Sequence, residues 1–291
     1  MNNFFLQIIY IFFNRKLLGT PLKFSWKKGM IIGEGSFGRV YKGINDNTGE
    51  LIAIKEFCLV DGSEQDVATF RREIEMMETF EHKNIVRYFG TDRTDKNLFI
   101  LLEFVSGGSI EQMLKQFGAF SEDMLKRYSH HILNGVSYLH EKGIIHRDIK
   151  GANVLVTGEG IAKLADFGCS KKLSGMFTAS MEESLRAIKG SVQWMAPEVI
   201  KQSGSGRSAD IWSIGATIIE MANALPPWSE FTNNLATLFH VATSSEPPPF
   251  PSTLSNQGKE ILSKCLVIDP LNRFSAKELL NMRWFESIEF I

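Results

Sequence analysis

His146-Arg147-Asp148-Ile149-Lys150-Gly151-Ala152-Asn153 lies between a helical run, NGVSYLHEKG, and a strand-like VLV. The octet fits H-R-D-x-K-x-x-N, a pattern too long and too charged to arise by chance in 291 residues. A lone Asp or Asn in a loop is ordinarily a turn former; the information here is in the joint spacing. C-terminal to Ser109, apolar residues recur at helical spacing in IEQMLKQF, EDMLKRYSHHILNGVSYLHEKG, ADIWSIGATIIEMANA and SAKELLNMRWF, with Gly and Pro between them. On the N-terminal side, MIIGEG, GRVYKGIN, ELIAIKEF, IVRYFG and NLFILLEFV are short runs rich in β-branched and aromatic residues. Asp46-Asn47-Thr48-Gly49 is a turn cluster, and turns this short between strands make antiparallel hairpins. Ser63 to Phe80 places Val67, Phe70, Ile74 and Met77 at helical spacing, one amphipathic helix among the strands. The expected class is α+β. A β-rich lobe over about 26–105 precedes a mostly helical lobe over about 106–285, with Ser106-Gly107-Gly108 as a hinge between them.

Composition limits the alternatives. The chain is 44% hydrophobic and 22% charged, an ordinary globular balance, and its net charge of -1 provides no basic field for nucleic acid. Its three cysteines, Cys58, Cys169 and Cys265, form no CxxC pair, which fits a reducing compartment and excludes a disulfide framework or zinc site. The His130-His131 pair points to different faces of a helix and is no metal site. Residues 1–25 form an apolar extension. Its Phe4–Phe13 run (FFLQIIYIFF) is about half of what spans a bilayer and lacks the flanks of a secretory signal. It reads as a segment packed on the domain's back or a stray upstream stretch, in preference to a membrane contact, and 286–291 is a short tail. The expected location is cytoplasmic.

Gly33-Glu34-Gly35-Ser36-Phe37-Gly38-Arg39-Val40 fits G-x-G-x-x-G-x-V. Glycines at this spacing also open dinucleotide-binding folds, but there they lead from strand to helix. Here strand-like VYKGIN follows, so the loop is a hairpin whose backbone N–H groups can approach phosphate oxygens. Lys55, in Ile52-Ala53-Ile54-Lys55, is either the solvent face of a half-buried strand or an ammonium turned toward phosphates. In the second case a carboxylate should hold it, and Glu73 in E-I-x-x-M is preferred over Glu75, about 200° away round the helix.

With the octet, WKKGMIIGEGSFGRVYKG, HRDIKGANVLV, KLADFG and WMAPEV, the chain resembles the protein kinases from about Trp26 to about Phe285. The resemblance is strongest to the MEKK-like mitogen-activated protein kinase kinase kinases. It implies a bilobal kinase fold and transfer of the γ-phosphoryl group of ATP, with Mg2+, onto protein Ser/Thr hydroxyls. Asp148 would accept or orient the hydroxyl proton, Lys150 would neutralise phosphoryl charge, and Asn153 and Asp166 would hold magnesium. Lys55 and Glu73 would form the ion pair on the phosphates. Ile32 to Val40, Ala53, Leu102 as gatekeeper, Glu103 to Val105 as the adenine-binding hinge, and Leu155 would border the nucleotide. His146 and Phe167 would belong to an apolar stack, Glu198 and Arg273 to a buried ion pair, and Asp210 would hold the catalytic-loop backbone.

Lys150 and Ser191 also resemble the Ser/Thr class, although Thr is commoner than Ser at the second position. Arg147 places a cation under the activation segment, where phosphate on Thr178, Ser180 or Ser184, the last preferred, would order the loop. Cys169 reads as a small packing residue. The expected partners are a MAP kinase kinase as substrate and an upstream kinase, or autophosphorylation in trans, as activator. Sterile-20-like kinases share HRDIKGANVL, so the neighbouring cascade tier is the alternative. A non-catalytic scaffold is disfavoured because Lys55, Glu73, Asp148, Asn153 and Asp166 are all present.

Overall fold

The computed structural model describes residues 22–35, 38–58, 74–94, 96–167, 170–172, 192–204, 206–231 and 233–286. The chain divides between Val105 and Ser106 into two compact units.

The N-terminal unit is a five-stranded antiparallel sheet in the order β1-β2-β3-β5-β4. Its strands are β1 (Trp26–Gly35), β2 (Gly38–Asn45), β3 (Leu51–Cys58), β4 (Tyr88–Arg93) and β5 (Asn97–Glu103). Pairing of β1 with β2 continues through Gly33↔Val40, Glu34↔Arg39 and Gly35↔Gly38. The glycine-rich stretch is therefore a hairpin, which removes the dinucleotide-binding alternative. Gly38 has φ +147, and a Cβ there would run into the Glu56 carbonyl oxygen. Only glycine fits that close approach.

Alternation along the strands sorts the side chains. Ile52 and Ile54 are fully buried with Tyr41, Phe99 and Leu101, and Leu22, Phe24, Trp26 and Phe89 pack against them. Directly opposed residues share a face, so the pairs Val40↔Lys55, Lys55↔Ile100 and Ala53↔Leu102 put these five residues together on one side. The fourth strand runs from Tyr88 to Arg93 and not from Ile85, and its pairing with β5 carries a register shift between Tyr88 and Gly90. Ile85 and Val86 are instead buried ahead of it. Of the expected amphipathic helix, a helical turn at 74–77 is described, with Ile74 and Met77 buried.

The C-terminal unit is largely helical. Its helices are α1 (Ile110–Phe117), α2 (Glu122–Glu141), α3 (Pro197–Ile200), α4 (Arg207–Asn223), α5 (Asn234–Thr243), α6 (Asn256–Cys265) and α7 (Ala276–Leu280). Ser109 starts α1 with a capping box: its Oγ accepts from Gln112 N at 3.2 Å, and Gln112 Oε1 accepts from Ser109 N at 2.9 Å. Two small antiparallel sheets pair β6 (Ile144–Ile145) with β9 (Lys171–Lys172) and, as a hairpin, β7 (Val154–Val156) with β8 (Ala162–Leu164). The last expected helix is shorter than its periodicity. It stops at Leu280, since Met282 is extended (ψ 148°) before a 3-10 turn over Arg283–Phe285.

At the centre is α4, buried at every position from Ala209 to Ala222. It packs on α2 and α6. Gly215 faces α6, where a Cβ would come within 2.8 Å of Cys265 Cβ and Leu266 Cγ. Arg273 reaches back to Glu198 in a buried bidentate pair at 2.6 and 2.7 Å. Removing either partner would strand a charge at a cost of about 3–5 kcal/mol.

Candidate active site

In the N-terminal unit the residues expected around a nucleotide are distributed over one hairpin and one sheet face. Ile32, Gly33, Glu34 and Gly35 end β1, and Gly38, Arg39 and Val40 begin β2. Arg39 Nε donates to Glu34 Oε1 at 3.0 Å on the exposed side. Ser36 and Phe37, at the tip, lie outside the described residues. Lys55 is half-buried on the face shared by Val40, Ala53 and Leu102, with Nζ 5.3 Å from the Phe57 ring centroid. Its expected partner Glu73 is also outside the described residues. Glu103 uses its N–H on Arg87 O (2.8 Å) while its side chain accepts from Arg87 N (3.1 Å), and Val105 is buried.

In the C-terminal unit the octet is a tightly bonded loop. Lys150 Nζ lies 3.0 Å from both Oδ atoms of Asp148. Asn153 Nδ2 donates to Asp148 Oδ2 at 2.7 Å and to its carbonyl at 2.8 Å. The amide nitrogen is thus spent on Asp148, which leaves Oδ1 as the atom for a cation. Ala165 N donates to Asn153 O at 2.9 Å, extending the β7–β8 hairpin and tying the residue before Asp166 to this turn. Leu155 sits in β7 and bridges to Ser109. His146 Nε2 donates to Ala165 O at 3.2 Å, and its ring stands 5.0 Å from that of Phe167.

Two residues of the site are held in left-handed backbone geometry without being glycine: Arg147 at φ 72° and Asp166 at φ 60°. Such conformations cost about 1–3 kcal/mol each and persist only where surroundings impose them. For Arg147 the surroundings are visible. Asp210 Oδ1 accepts from Arg147 N at 2.8 Å, and Oδ2 accepts from His146 N at 2.9 Å and from His140 Nε2 at 2.8 Å. The buried Nε of Arg147 has no hydrogen-bond partner among the described residues. Thr178, Ser180, Ser184 and Ser191, like Cys169, lie outside them.

Magnesium can be tested against the donors. Asn153 and Asp166 offer hard oxygen atoms, and among the described residues no group of three or more His, Cys, Asp or Glu could hold a metal alone. Two such oxygen donors suit an ion that keeps waters and phosphate oxygens and takes only one or two protein ligands. The donor set fits.

Periodicity did not single out Glu220 or Trp194. Glu220, 4% exposed, accepts from Gly151 N at 2.9 Å and from Trp194 Nε1 at 2.8 Å, both on Oε2. Ser213 Oγ donates to Trp194 O at 2.8 Å. Asp210, Ser213, Thr217 and Glu220 fall within one narrow arc of α4 at about 100° per residue. That polar stripe on an otherwise apolar helix is the signal by which they could have been found. The two carboxyl groups are driven apart. Burial alone would raise Asp210, but the hydrogen bond and charge of His140, with the loop N–H groups, hold it below the usual range. Burial raises Glu220, Glu111 adds to it, and the bonds from Gly151 and Trp194 only partly oppose.

The protein kinase domain family matches residues 26–285. Mitogen-activated protein kinase kinase kinase A of Dictyostelium discoideum is 47% identical over 260 residues, which is 88% of this chain and 27% of that protein. Mitogen-activated protein kinase kinase kinase 2 of Arabidopsis thaliana is 45% identical over 88% of this chain and 40% of its own length. Human mitogen-activated protein kinase kinase kinase 3 is 39% identical over 88% and 41% respectively. The chain therefore spans about a quarter to two-fifths of the length of these relatives. No helix among the described residues is long and apolar enough to cross a membrane.

Proposed function

The chain belongs to the protein kinase family, a family that generally uses ATP with Mg2+, and from that premise we propose that it is a serine/threonine kinase that phosphorylates and activates a MAP kinase kinase in the cytoplasm. The observation that carries this reading is the Asp148–Lys150–Asn153 constellation, with Lys150 Nζ 3.0 Å from both carboxylate oxygens and the Asn153 amide 2.7 Å from one. The names of its relatives support the cascade tier.

The chemistry asks for position and charge compensation more than covalent work. Asp148 is oriented from both sides, so its carboxylate meets the attacking Ser or Thr hydroxyl in a set direction and receives its proton. Lys150 stays beside that carboxylate and offsets negative charge on the phosphoryl oxygens as the bond to the leaving phosphate lengthens. Asn153 Oδ1 and the Asp166 carboxylate would hold magnesium, which when bound withdraws charge from the β- and γ-phosphates. Lys55 would bind the phosphates, paired to Glu73, under the glycine hairpin 33–40. Arg147 would receive phosphate on Thr178, Ser180 or Ser184, and its buried Nε supports that role.

A panel of inactive MAP kinase kinases with radiolabelled ATP tests the proposal. Phosphate should enter Ser/Thr residues of at least one of them, and Asp148→Asn should reduce the rate by about 10³-fold or more. Equal incorporation by Asp148→Asn, or phosphate on tyrosine alone, would sink it. Phosphatase treatment of the purified chain should lower its activity if Arg147 serves the activation segment.

A further inference from the structure

A pocket of about 250 Å³ in the C-terminal unit takes no part in the chemistry above. It lies between the first two turns of α2 and the turn joining β7 to β8, lined by Asp123, Met124, Arg127, Tyr128 and Gly160. Residues 123, 124, 127 and 128 are helical neighbours, so they make one continuous strip of α2. Gly160 has φ +77, and a Cβ there would meet nothing within 4 Å, so that wall is open. Phe120 packs edge-on against the Tyr128 ring at 5.6 Å.

Two polar groups of the pocket have no partner. Tyr128 is only 6% exposed, yet its hydroxyl makes no hydrogen bond among the described residues. Burial pushes that phenol up, and the charge of nearby Arg127 opposes the shift. Arg127 is half-buried and makes no hydrogen bond or ion pair among the described residues. The neighbouring carboxylates are taken: Asp123 Oδ1 lies 3.6 Å from Lys126 Nζ, and Glu159 is bonded to the Thr157 hydroxyl. An apolar recess with an unpaired cation and an unused hydroxyl suits an apolar group that carries a carboxylate.

The chain has such a segment next to the pocket. Trp284 Nε1 donates to Glu122 Oε1 at 2.7 Å, and the Phe285 ring stands 5.6 Å from that of His130. The point where residues 286–291 begin is therefore held on α2 itself. Glu286-Ser287-Ile288-Glu289-Phe290-Ile291 combines two carboxylates with three large apolar side chains. Its last five residues, 287–291, lie outside those described. Arg127 is three residues from His130, about 4.5 Å of rise and about 60° round the helix. Five extended residues cover about 17 Å, enough to reach it.

We propose that residues 287–291 dock in this pocket, with the Glu289 carboxylate on Arg127 and the apolar side chains over Met124 and the Tyr128 ring. The docked segment bridges α2 and the β7–β8 turn, beside the bond that Ala162 N makes to His131 Nδ1 at 3.2 Å.

Carboxypeptidase digestion of the full chain tests this without any turnover, with release of Ile291 followed by mass spectrometry. Each rate is divided by that of a free peptide carrying the same sequence from residue 285 to 291. The wild-type chain should release Ile291 at least about 10-fold more slowly than its peptide, since docking buries apolar side chains. Arg127→Glu and Ile288→Ser should each bring the ratio to within about twofold, and adding Glu289→Arg to Arg127→Glu should restore most of the protection. Ile288→Ser alters no residue of the pocket, so its effect cannot come from a damaged one. A wild-type chain digested as fast as its peptide would overturn the proposal, and so would a charge swap that restores nothing. Protection that grows with protein concentration would mean docking on a second copy, which equally overturns it.

Discussion

Asp210 and Glu220 sit at opposite ends of one face of α4, both more than nine-tenths buried and both bonded to backbone N–H groups of the same 146–153 loop. One is held below the usual carboxylate range and the other above it. Burial is the largest influence on each, so burial cannot explain the difference. The partners do. Asp210 has His140 and two loop N–H groups around it. Glu220 has one loop N–H, one neutral indole and a nearby like charge. The donors around a buried carboxylate decide which way its acidity moves, and one helix face carries both directions.

The most severe way to break the comparison is Asp210→Ala. It leaves His140, His146 N and Arg147 N without their acceptor and should cost about 3–5 kcal/mol by urea denaturation, with loss of phosphoryl transfer. A loss under about 1 kcal/mol would mean that Asp210 is no anchor. Next is the pH dependence of Asp210→Asn. A depressed folded value means that stability is present above the unfolded value of about 3.9 and lost as pH falls through the folded one. The gap between wild type and variant should therefore be widest near neutrality and close below about pH 4.

Glu220→Gln should show the opposite slope and a smaller size. A raised folded value favours the protonated form, so that contribution is full below the unfolded value of about 4.3 and disappears as pH rises through the folded one. The variant should gain on wild type as pH rises above the unfolded value. If both variants shift stability in the same direction with pH, the contrast is wrong. Smallest of all is Glu122→Gln, where solvent shares the load; we expect about 0.5–1 kcal/mol and no change in kcat.

Much of this was readable from residues alone. The octet 146–153 marked Asp148, Lys150 and Asn153 as one group, though not the bonds among them, and the hairpin at 33–40 followed from the strand-like residues after its glycines. The Glu198–Arg273 pair and the Asp210 anchor were implied by resemblance and are present. Other features were hidden for physical reasons. Arg147 and Asp166 carry left-handed backbone that only glycine advertises in a sequence. ADIWSIGATIIEMANA reads as an apolar helix, so a carboxylate near its end looks like a solvent-facing terminus until the fold shows it buried. The early stop of α7 depends on the extended Met282, which helical periodicity does not signal. The partners expected for Lys55 and Arg147 fall on residues outside those described.

Gly215 lies on α4 nearly opposite the polar stripe, pressed against Cys265 and Leu266. A methyl group there would touch no substrate, cofactor or loop, yet it would push the whole helix away from α6. Because Asp210, Ser213 and Glu220 ride on that helix, the catalytic loop and Trp194 would shift together. Overpacking of this kind costs about 1–3 kcal/mol, worth several degrees of melting temperature in a domain of this size. Gly215→Ala would therefore make a conditional allele, working in cool cells and silent in warm ones, set by a residue with no part in the chemistry.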